Sequence, residues 1–283
     1  MKKRYSVSRR KKLNKVIIYS LLVLLCFFSF FPILWVLVST LKMPSEIYTM
    51  PPTWIPSKFT LQHYVRVIMN SDMRRAFLNS VIISSISTLI AVFFGILSAY
   101  AFSRFRFRMK SPLYYFILMT RMLPGAILII PLYILFARLK LLNTFAGVII
   151  VYSAIALPLG VWLFRGFFAT IPIEIEEAAR IDGCSRLQAL LKVTLPLLAP
   201  GIGAVSMYVF LFSWNQFLIP LVLATPREVR PLSVALMFYM GDYTVDWGAL
   251  LAASILMAIP PVIVFVALQK HFTKGLTEGV VLQ

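Results

Sequence analysis

Charged residues are scarce in this sequence, and acidic residues are the scarcest of them. The 283 residues are 60% hydrophobic and only 13% charged, whereas an ordinary soluble domain is about 25% charged. The two cysteines show no CxxC spacing, and the two histidines lie far apart in the chain. These absences exclude a disulfide framework and argue against a zinc site. The composition is that of an integral membrane protein.

Motifs of nucleotide binding and catalysis are also missing. The chain contains no GxxxxGK[ST] phosphate-binding loop, no HExxH and no GxSxG. Any ATP that drives this protein must therefore be hydrolysed by another polypeptide, and we expect no cofactor, metal or catalytic residue in this chain. All ten acidic residues lie outside the apolar segments. A proton-coupled carrier is disfavoured, because such carriers commonly use buried carboxylates or histidines.

Long apolar segments predict the fold class. A transmembrane helix needs about 20 mostly apolar residues. The predicted fold is an all-α integral membrane protein with six transmembrane helices in one domain at residues 16–268. A basic N-terminus at residues 1–15 precedes this domain, and a tail at residues 269–283 follows it. The six predicted spans are residues 16–41, 77–102, 113–137, 145–164, 197–224 and 249–268.

Basic residues predict the orientation of the spans. The net charge is +18, and the alternate loops that begin with the N-terminus hold 18 of the 28 Lys and Arg residues, against nine in the other loops. Because Lys and Arg concentrate on the cytoplasmic side, both termini are predicted to lie in the cytoplasm, in the inner membrane of a bacterium or archaeon. The loop at 170–196 is then cytoplasmic, and the loops at 43–76 and 225–247 are external.

A polar element of about twenty residues separates the fourth and fifth predicted spans. It begins at Glu177 and reads EAARIDGCSRLQALLKVTLP. Gly183 is predicted to end a first helix, because glycine tolerates the left-handed conformation found there. Ser185 and Gln188 are spaced as a capping box for a second helix. We interpret the element as a docking surface for a cytoplasmic partner, with a plain structural loop as the alternative.

Helix–turn–helix spacing is also found in DNA-binding proteins. Only Arg186, Gln188 and Lys192 would be available to contact a DNA groove, and membrane spans enclose the element on both sides. We therefore predict no nucleic-acid partner. The basic residues instead account for the topology of the protein in the lipid bilayer.

Polar residues inside the predicted spans are the candidates for a substrate pathway. Burying Arg121 costs about 2.5–3.5 kcal/mol on insertion scales, so a functional role is the first interpretation. Its alternative is snorkelling or a structural bond to exposed carbonyls near Pro124. In the fifth span, Trp214, Asn215 and Gln216 suit a hydroxyl-rich ligand, because a ring covers C–H faces while amides donate and accept. Hydrogen bonding between helices is the alternative.

Small residues and prolines also mark the spans. Small residues at steps of three and four in the second span predict close approach of another helix, with a polar path as the alternative. Prolines within spans predict kinks for packing, with gating hinges as the alternative. The small residues are Ser80, Ser84, Ser87, Ala91, Gly95 and Ser98.

The polar element resembles the signature of a known family. Its pattern is EAA, three residues, Gly, nine residues, an aliphatic residue, any residue and Leu-Pro, with Val193 at the aliphatic position. This resembles the permease subunits of binding-protein-dependent ABC importers, in the MetI-like superfamily. The similarity to the six-span, maltose-type permeases of carbohydrate uptake extends over nearly the whole chain. The further similar segments are STLK at 39–42, PPTWIP at 51–56, NS at 79–80, FRGFFATIP at 164–172, SWNQFLIPL at 213–221 and AIPPVIVFVALQKHFTKGLTEG at 258–279.

The resemblance implies a transport subunit rather than an enzyme. Such a permease moves a sugar or oligosaccharide delivered by an extracytoplasmic binding protein. Its other implied partners are a second related permease and two ATPase subunits, which use the ATP. A polyol, glycerol phosphate or acidic oligosaccharide is the alternative solute, and a secondary carrier or channel is the alternative class. The residues at 279–283 depart from the small-residue and lysine tail common in the family. The ATPase-coupling residues implied are Glu177, Ala178, Ala179, Arg180, Asp182 and Gly183.

Overall fold

The protein is built from helices, as the apolar segments predict. The computed structural model describes residues 2–241 and 244–278, and the side chains of residues 14–241 and 244–269. Those residues form no β-strand; an isolated antiparallel bridge joins Met240 to Val245. The helices are α1 (Lys2–Thr40), α2 (Pro44–Ile47), α3 (Gln62–Met69), α4 (Ser71–Arg104), α5 (Lys110–Met119), α6 (Gly125–Arg138), α7 (Phe145–Thr170), α8 (Ile173–Ile181), α9 (Arg186–Ala189), α10 (Leu195–Leu197), α11 (Ala199–Trp214), α12 (Leu218–Leu223), α13 (Leu232–Ala235) and α14 (Trp247–Glu278).

Four of the described helices are long and apolar enough to cross a membrane, and two bent helix pairs raise the count to six. The four are Asn14–Thr40 within α1, α4, α7 and Trp247–Gln269 within α14. The bent pairs are Lys110–Met122 with Gly125–Arg138, at 100°, and Arg186–Leu197 with Ala199–Trp214, at 77°. The prediction of an all-α membrane protein is confirmed.

The third and fifth predicted spans are not continuous helices. Residues 113–137 are interrupted at Leu123, which has an extended backbone with ψ of 123°. Pro124 follows it, and proline disfavours the helical conformation of the residue before it. Residues 197–224 are interrupted twice, at Leu198 and again between Trp214 and Leu218.

The chain forms two compact units, one of which contains Asn70–Phe238 and the remainder of α14 from Met257. In that unit α4 packs along α7. A Cβ atom on Gly95 would lie 3.2 Å from the ring of Phe164, so the two helices meet at a distance that only a small residue permits. The packing interpretation is confirmed for five of the six small residues, since Ser80, Ser84, Ser87, Ala91 and Gly95 are all buried, whereas Ser98 is half-buried.

Asn79 and Ser80 fasten the segment at residues 225–232 to α4. The Ser80 hydroxyl accepts a hydrogen bond from the Leu232 N–H at 2.7 Å. The Asn79 amide nitrogen donates to three carbonyl oxygens of the segment, those of Arg227, Glu228 and Arg230, at 3.5, 3.1 and 3.0 Å. One side chain thus satisfies carbonyls of a segment that has no helix or strand partner of its own.

Replacing Asn79 by Ala is expected to loosen this segment. The carbonyls lose their donor, which costs about 1–3 kcal/mol for groups shielded from water. Trypsin should then cut after Arg227 several times faster, and the melting temperature of the purified protein should fall. Thr88→Ala is the matched control, because the Thr88 hydroxyl donates only to a carbonyl of its own helix, at 2.6 Å. Equal cleavage of both variants would contradict this account of Asn79.

The other unit contains the residues up to Met69 together with Tyr239–Leu256. Lys42 is buried, with its ammonium nitrogen 4.6 Å from the ring centre of Trp35, and it donates to the Thr53 carbonyl. The Glu46 carboxylate accepts from the Ser57 N–H and hydroxyl at 3.0 and 2.9 Å. The backbone N–H of Ser57 holds the pKa of the Glu46 carboxyl below its ordinary value. These bonds close the PPTWIP turn against the end of α1.

Candidate functional site

The polar element folds as a helix, a turn and a second helix, as its spacing predicts. The first helix, α8, ends at Asp182, and Gly183 follows with a left-handed φ of +93°. The Gly183 N–H donates to the Arg180 carbonyl at 3.1 Å, and the Cys184 N–H donates to the Ala179 carbonyl at 3.0 Å. This pair of bonds is a Schellman motif, which satisfies the last carbonyls of α8 and needs a residue that tolerates positive φ.

The second helix begins with the predicted capping box. The Ser185 hydroxyl accepts from the Gln188 N–H at 3.3 Å, and the Gln188 side chain accepts from the Ser185 N–H at 2.8 Å. The helical turns continue through a π-helical segment at Leu190–Thr194. The element is therefore fixed at both ends of its turn by hydrogen bonds within itself.

Glu176 fastens α8 to the end of α4. Its carboxylate accepts from Arg104 Nε at 2.8 Å and from the Tyr100 hydroxyl at 3.3 Å. Arg104 also donates to the Ile171 carbonyl at 2.8 Å and lies over the Phe168 ring, 5.9 Å from its centre. The Arg104 and Glu176 side chains are only 11% and 7% exposed, so the pair is a buried, hydrogen-bonded contact between two helices.

This ion pair was missed by sequence analysis. Glu174, Glu176 and Glu177 lie within one helical turn, and no pattern in the sequence distinguishes the buried carboxylate from its neighbours. The structure buries Glu176 and leaves the other two exposed. The Glu177 side chain, which belongs to the family signature, is therefore free to meet a partner.

The predicted coupling residues lie on one exposed part of the element, except that Ala179 is half-buried. Two apolar side chains accompany them: Ile181 is 86% exposed and Leu187 is 61% exposed. Leu190, which follows in the π-helical segment, is buried at 3% exposure. We define the coupling face as Glu177, Ala178, Arg180, Ile181, Asp182, Gly183 and Leu187.

Arg121 lies at the break of the third predicted span, in the 3₁₀ turn Thr120–Met122. Its guanidinium donates to the Ile155 carbonyl of α7 at 3.1 Å and to the Tyr208 hydroxyl of α11 at 2.9 Å. The guanidinium carbon is 5.5 Å from the ring centre of Phe212. The carbonyl that Arg121 bonds to is therefore not one near Pro124, as the structural alternative supposed, but that of Ile155 in α7, three residues before Pro158.

The three polar residues of the fifth span do not share one environment. Trp214 is buried at 2% exposure, and its indole N–H donates to the Met257 carbonyl at 3.0 Å. For Trp214 this supports the alternative interpretation, hydrogen bonding between helices, because a ring buried to this extent presents no face to a solute. Asn215 is exposed and donates to the Leu211 carbonyl of α11 at 2.9 Å. Gln216 is half-buried, and its backbone carbonyl accepts from the Ser233 hydroxyl at 2.6 Å.

Several helices long and apolar enough to cross a membrane, with a folded polar element between two of them, define a multi-pass membrane protein. Residues 91–278, about two thirds of the chain, match the family described as "Binding-protein-dependent transport system inner membrane component". The chain belongs to this family. It is therefore the permease of a transport system that depends on a binding protein, and not an enzyme.

Individual relatives agree over nearly the full length. The chain is 34% identical over 276 residues to the inner membrane ABC transporter permease protein YcjP of Escherichia coli (strain K12), covering 96% of this chain and 98% of that protein. It is 32% identical over 279 residues to the trehalose/maltose transport system permease protein MalG of Thermococcus litoralis, with the same coverage. A solved bacterial ABC transporter involved in the import of the acidic polysaccharide alginate has the same fold, with a TM-score of 0.81 at 23% identity over 93% of this chain and 98% of that chain.

Proposed function

We propose that this chain carries a sugar or oligosaccharide into the cytoplasm as the permease subunit of an ATP-driven importer. The observation that carries the proposal is the coupling face, a rigid surface that exposes Ile181 and Leu187 at 86% and 61%. Exposed apolar side chains on a polar, capped element favour a protein partner over solvent. The names of the relatives support a carbohydrate as the solute.

The assembly that fits this proposal has several chains. A second related permease completes the membrane pathway, two ATPase subunits receive the coupling face, and an extracytoplasmic binding protein delivers the solute. The segments at 43–76 and 225–247 are the proposed docking sites for that binding protein. The orientation follows the distribution of basic residues, which places the N- and C-termini and the element at 170–196 in the cytoplasm of a bacterium or archaeon.

Alternating access gives the proposed cycle. Closure of the ATPase pair on ATP moves the coupling face, and the paired permeases change from an inward-open to an outward-open state. The loaded binding protein then releases solute, and hydrolysis resets the inward-open state. ATP drives this change because it binds the closed ATPase pair more tightly than the open pair. A ligand with equal affinity for both states would not shift the equilibrium between them.

Ile181→Asp is expected to release the ATPase. Burying an isoleucine side chain in a partner contributes about 1.5–3 kcal/mol. The affinity for the ATPase should therefore fall by about tenfold or more, and less ATPase should co-purify with the variant. Its abundance in the membrane should not change, because the side chain makes little contact within the protein. Ile181→Val is the matched control and should retain the ATPase.

Undiminished ATPase retention by Ile181→Asp would count against the coupling face. Uptake that survives ATP depletion would instead favour the secondary carrier. The first result tests the coupling face by co-purification, and the second tests the energy source by an uptake assay.

A further inference from the structure

Arg121 places a positive charge far from both ends of a membrane-spanning helix. Its hydrogen-bond acceptor, the Ile155 carbonyl, belongs to a helix that runs from Phe145 to Thr170. At 1.5 Å per residue, Ile155 lies about 15 Å from one end of that helix and about 22 Å from the other. The guanidinium is therefore near the middle of a span and not at its rim.

This charge has no counter-ion among the described side chains. The ion pairs that these side chains form within 4.0 Å do not include Arg121. Its two hydrogen-bonded partners, a carbonyl and a hydroxyl, are both neutral. An ionised group at this depth is costly when it is unpaired, so an anion that reaches Arg121 would gain a favourable electrostatic interaction.

The guanidinium is held in place but is not fully used. It donates one bond to the Ile155 carbonyl and one to the Tyr208 hydroxyl, whereas an arginine side chain carries five N–H donors. The residue is half-buried, as are Tyr208 and Phe212. The two bonds thus orient the guanidinium and leave N–H donors for a planar acidic group. Arginine binds such a group with two parallel hydrogen bonds.

The aromatic residues beside Arg121 suit a sugar ring. The rings of Tyr208 and Phe212 lie 6.5 Å apart with an interplanar angle of 20°, and they follow one face of α11 at a spacing of four residues. Aromatic faces pack against the C–H surface of a sugar, while a neighbouring hydroxyl hydrogen-bonds to its polar groups. The aromatic ring expected in the polar patch two residues later, that of Trp214, offers no such face because it is buried.

We propose that Arg121, Tyr208 and Phe212 form a solute subsite that binds the acidic group of an anionic sugar, such as the carboxylate of a uronic acid unit. The aromatic pair holds the sugar ring, and the guanidinium neutralises its charge inside the membrane. This inference rests on the proposed function and narrows its solute class. A neutral sugar would leave the charge of Arg121 unpaired along the pathway.

The test uses the complete importer, purified with its partner permease and ATPase subunits and without the binding protein. Binding of the galacturonate disaccharide and of its neutral counterpart, the galactose disaccharide, is measured by calorimetry at low and high salt. We expect the acidic probe to bind more tightly than the neutral one, and its affinity to fall with salt. Arg121→Gln should lose roughly tenfold to a hundredfold in affinity for the acidic probe, the effect of one or two charge-assisted hydrogen bonds.

Two further variants separate this role from a structural one. Arg121→Lys keeps the charge and should retain part of the preference for the acidic probe, whereas a purely structural arginine would give no such charge-dependent rescue. Arg138→Gln removes an exposed cation at the end of α6 and should bind as the wild type does.

Equal binding of the two probes by the wild type, or no binding of the acidic probe, would overturn the proposal. So would an unchanged affinity in an Arg121→Gln importer of normal thermal stability. The proposed function is scored separately, by ATPase activity and ATP-dependent uptake in the same preparations.

Discussion

Reversing the charge of Glu176 by substitution with Arg is expected to abolish transport, and adding Arg104→Glu is expected to restore part of it. The native carboxylate lies 2.8 Å from Arg104, and both side chains are about nine-tenths buried. Breaking such a pair from one side leaves an uncompensated buried charge, at a cost of about 3–5 kcal/mol. α8 would then leave its position on α4, and the coupling face would no longer be presented in one orientation.

The rescue should be partial because Arg104 has other contacts. A glutamate at this position cannot donate to the Ile171 carbonyl or lie as a cation over Phe168. The measurements are ATP-dependent uptake, the ATPase rate and the amount of protein in the membrane. Loss of uptake with continued ATP hydrolysis would indicate loss of coupling rather than loss of folding.

Glu174→Arg is the matched control for this exchange. Glu174 lies on the same helix two residues earlier but is exposed, so reversing its charge removes at most the interaction of an exposed acid with the helix N-terminus, about 0.3–1 kcal/mol. Transport should be nearly unchanged in this control. Normal uptake by the Glu176→Arg single variant would show that the buried pair does not position α8.

Gly183→Asp is expected to abolish uptake while the protein still inserts into the membrane. Gly183 has a φ of +93°, and the space around a Cβ atom there is open. The cost within the protein is therefore conformational rather than steric, and it is modest, because aspartate tolerates positive φ better than most residues that carry a Cβ atom. The larger expected effect is that a charged side chain at this position would project from the coupling face toward the proposed ATPase partner.

Two substitutions separate these two effects, and a third is the control. Gly183→Asn keeps a residue that tolerates positive φ but adds bulk, whereas Gly183→Ala adds strain with little bulk. Gly166→Ala is the control, because that glycine lies inside α7 with open space and no positive φ, and it should transport normally. Full uptake by the Gly183→Asp variant would exclude the turn from the coupling mechanism.

Local chemistry made some features predictable from sequence. The turn at Asp182-Gly183 and the capping box of Ser185 and Gln188 depend on residues within four positions of each other, and both are present as expected. The small residues of α4 were predicted to pack because their spacing follows the helical period. In each case the spacing of the residues along the chain determines how they lie relative to one another in the helix.

Other features depend on contacts between distant residues. The burial of Glu176 depends on Arg104, 72 positions earlier in the chain. The burial of Trp214 depends on its hydrogen bond to Met257, 43 positions later. These two features require the tertiary structure. The break at Leu123 is different, because Pro124 marks it in the sequence although hydropathy, which averages over a window, does not show it.

The helix α4 differs from the other unbroken spans of the described chain in having no proline. α1, α7 and α14 contain Pro32, Pro158, and the pair Pro260 and Pro261, respectively. Near one end of α4, Asn79 is hydrogen-bonded to the segment at 225–232. At the other end, Arg104 is bonded to Glu176 of α8. Asn79 and Arg104 are 25 residues apart, which corresponds to about 38 Å at 1.5 Å per residue. α4 is therefore a continuous helix without a proline kink, and we expect a displacement of α8 along the axis of α4 to reach the segment at 225–232 without being absorbed by a bend.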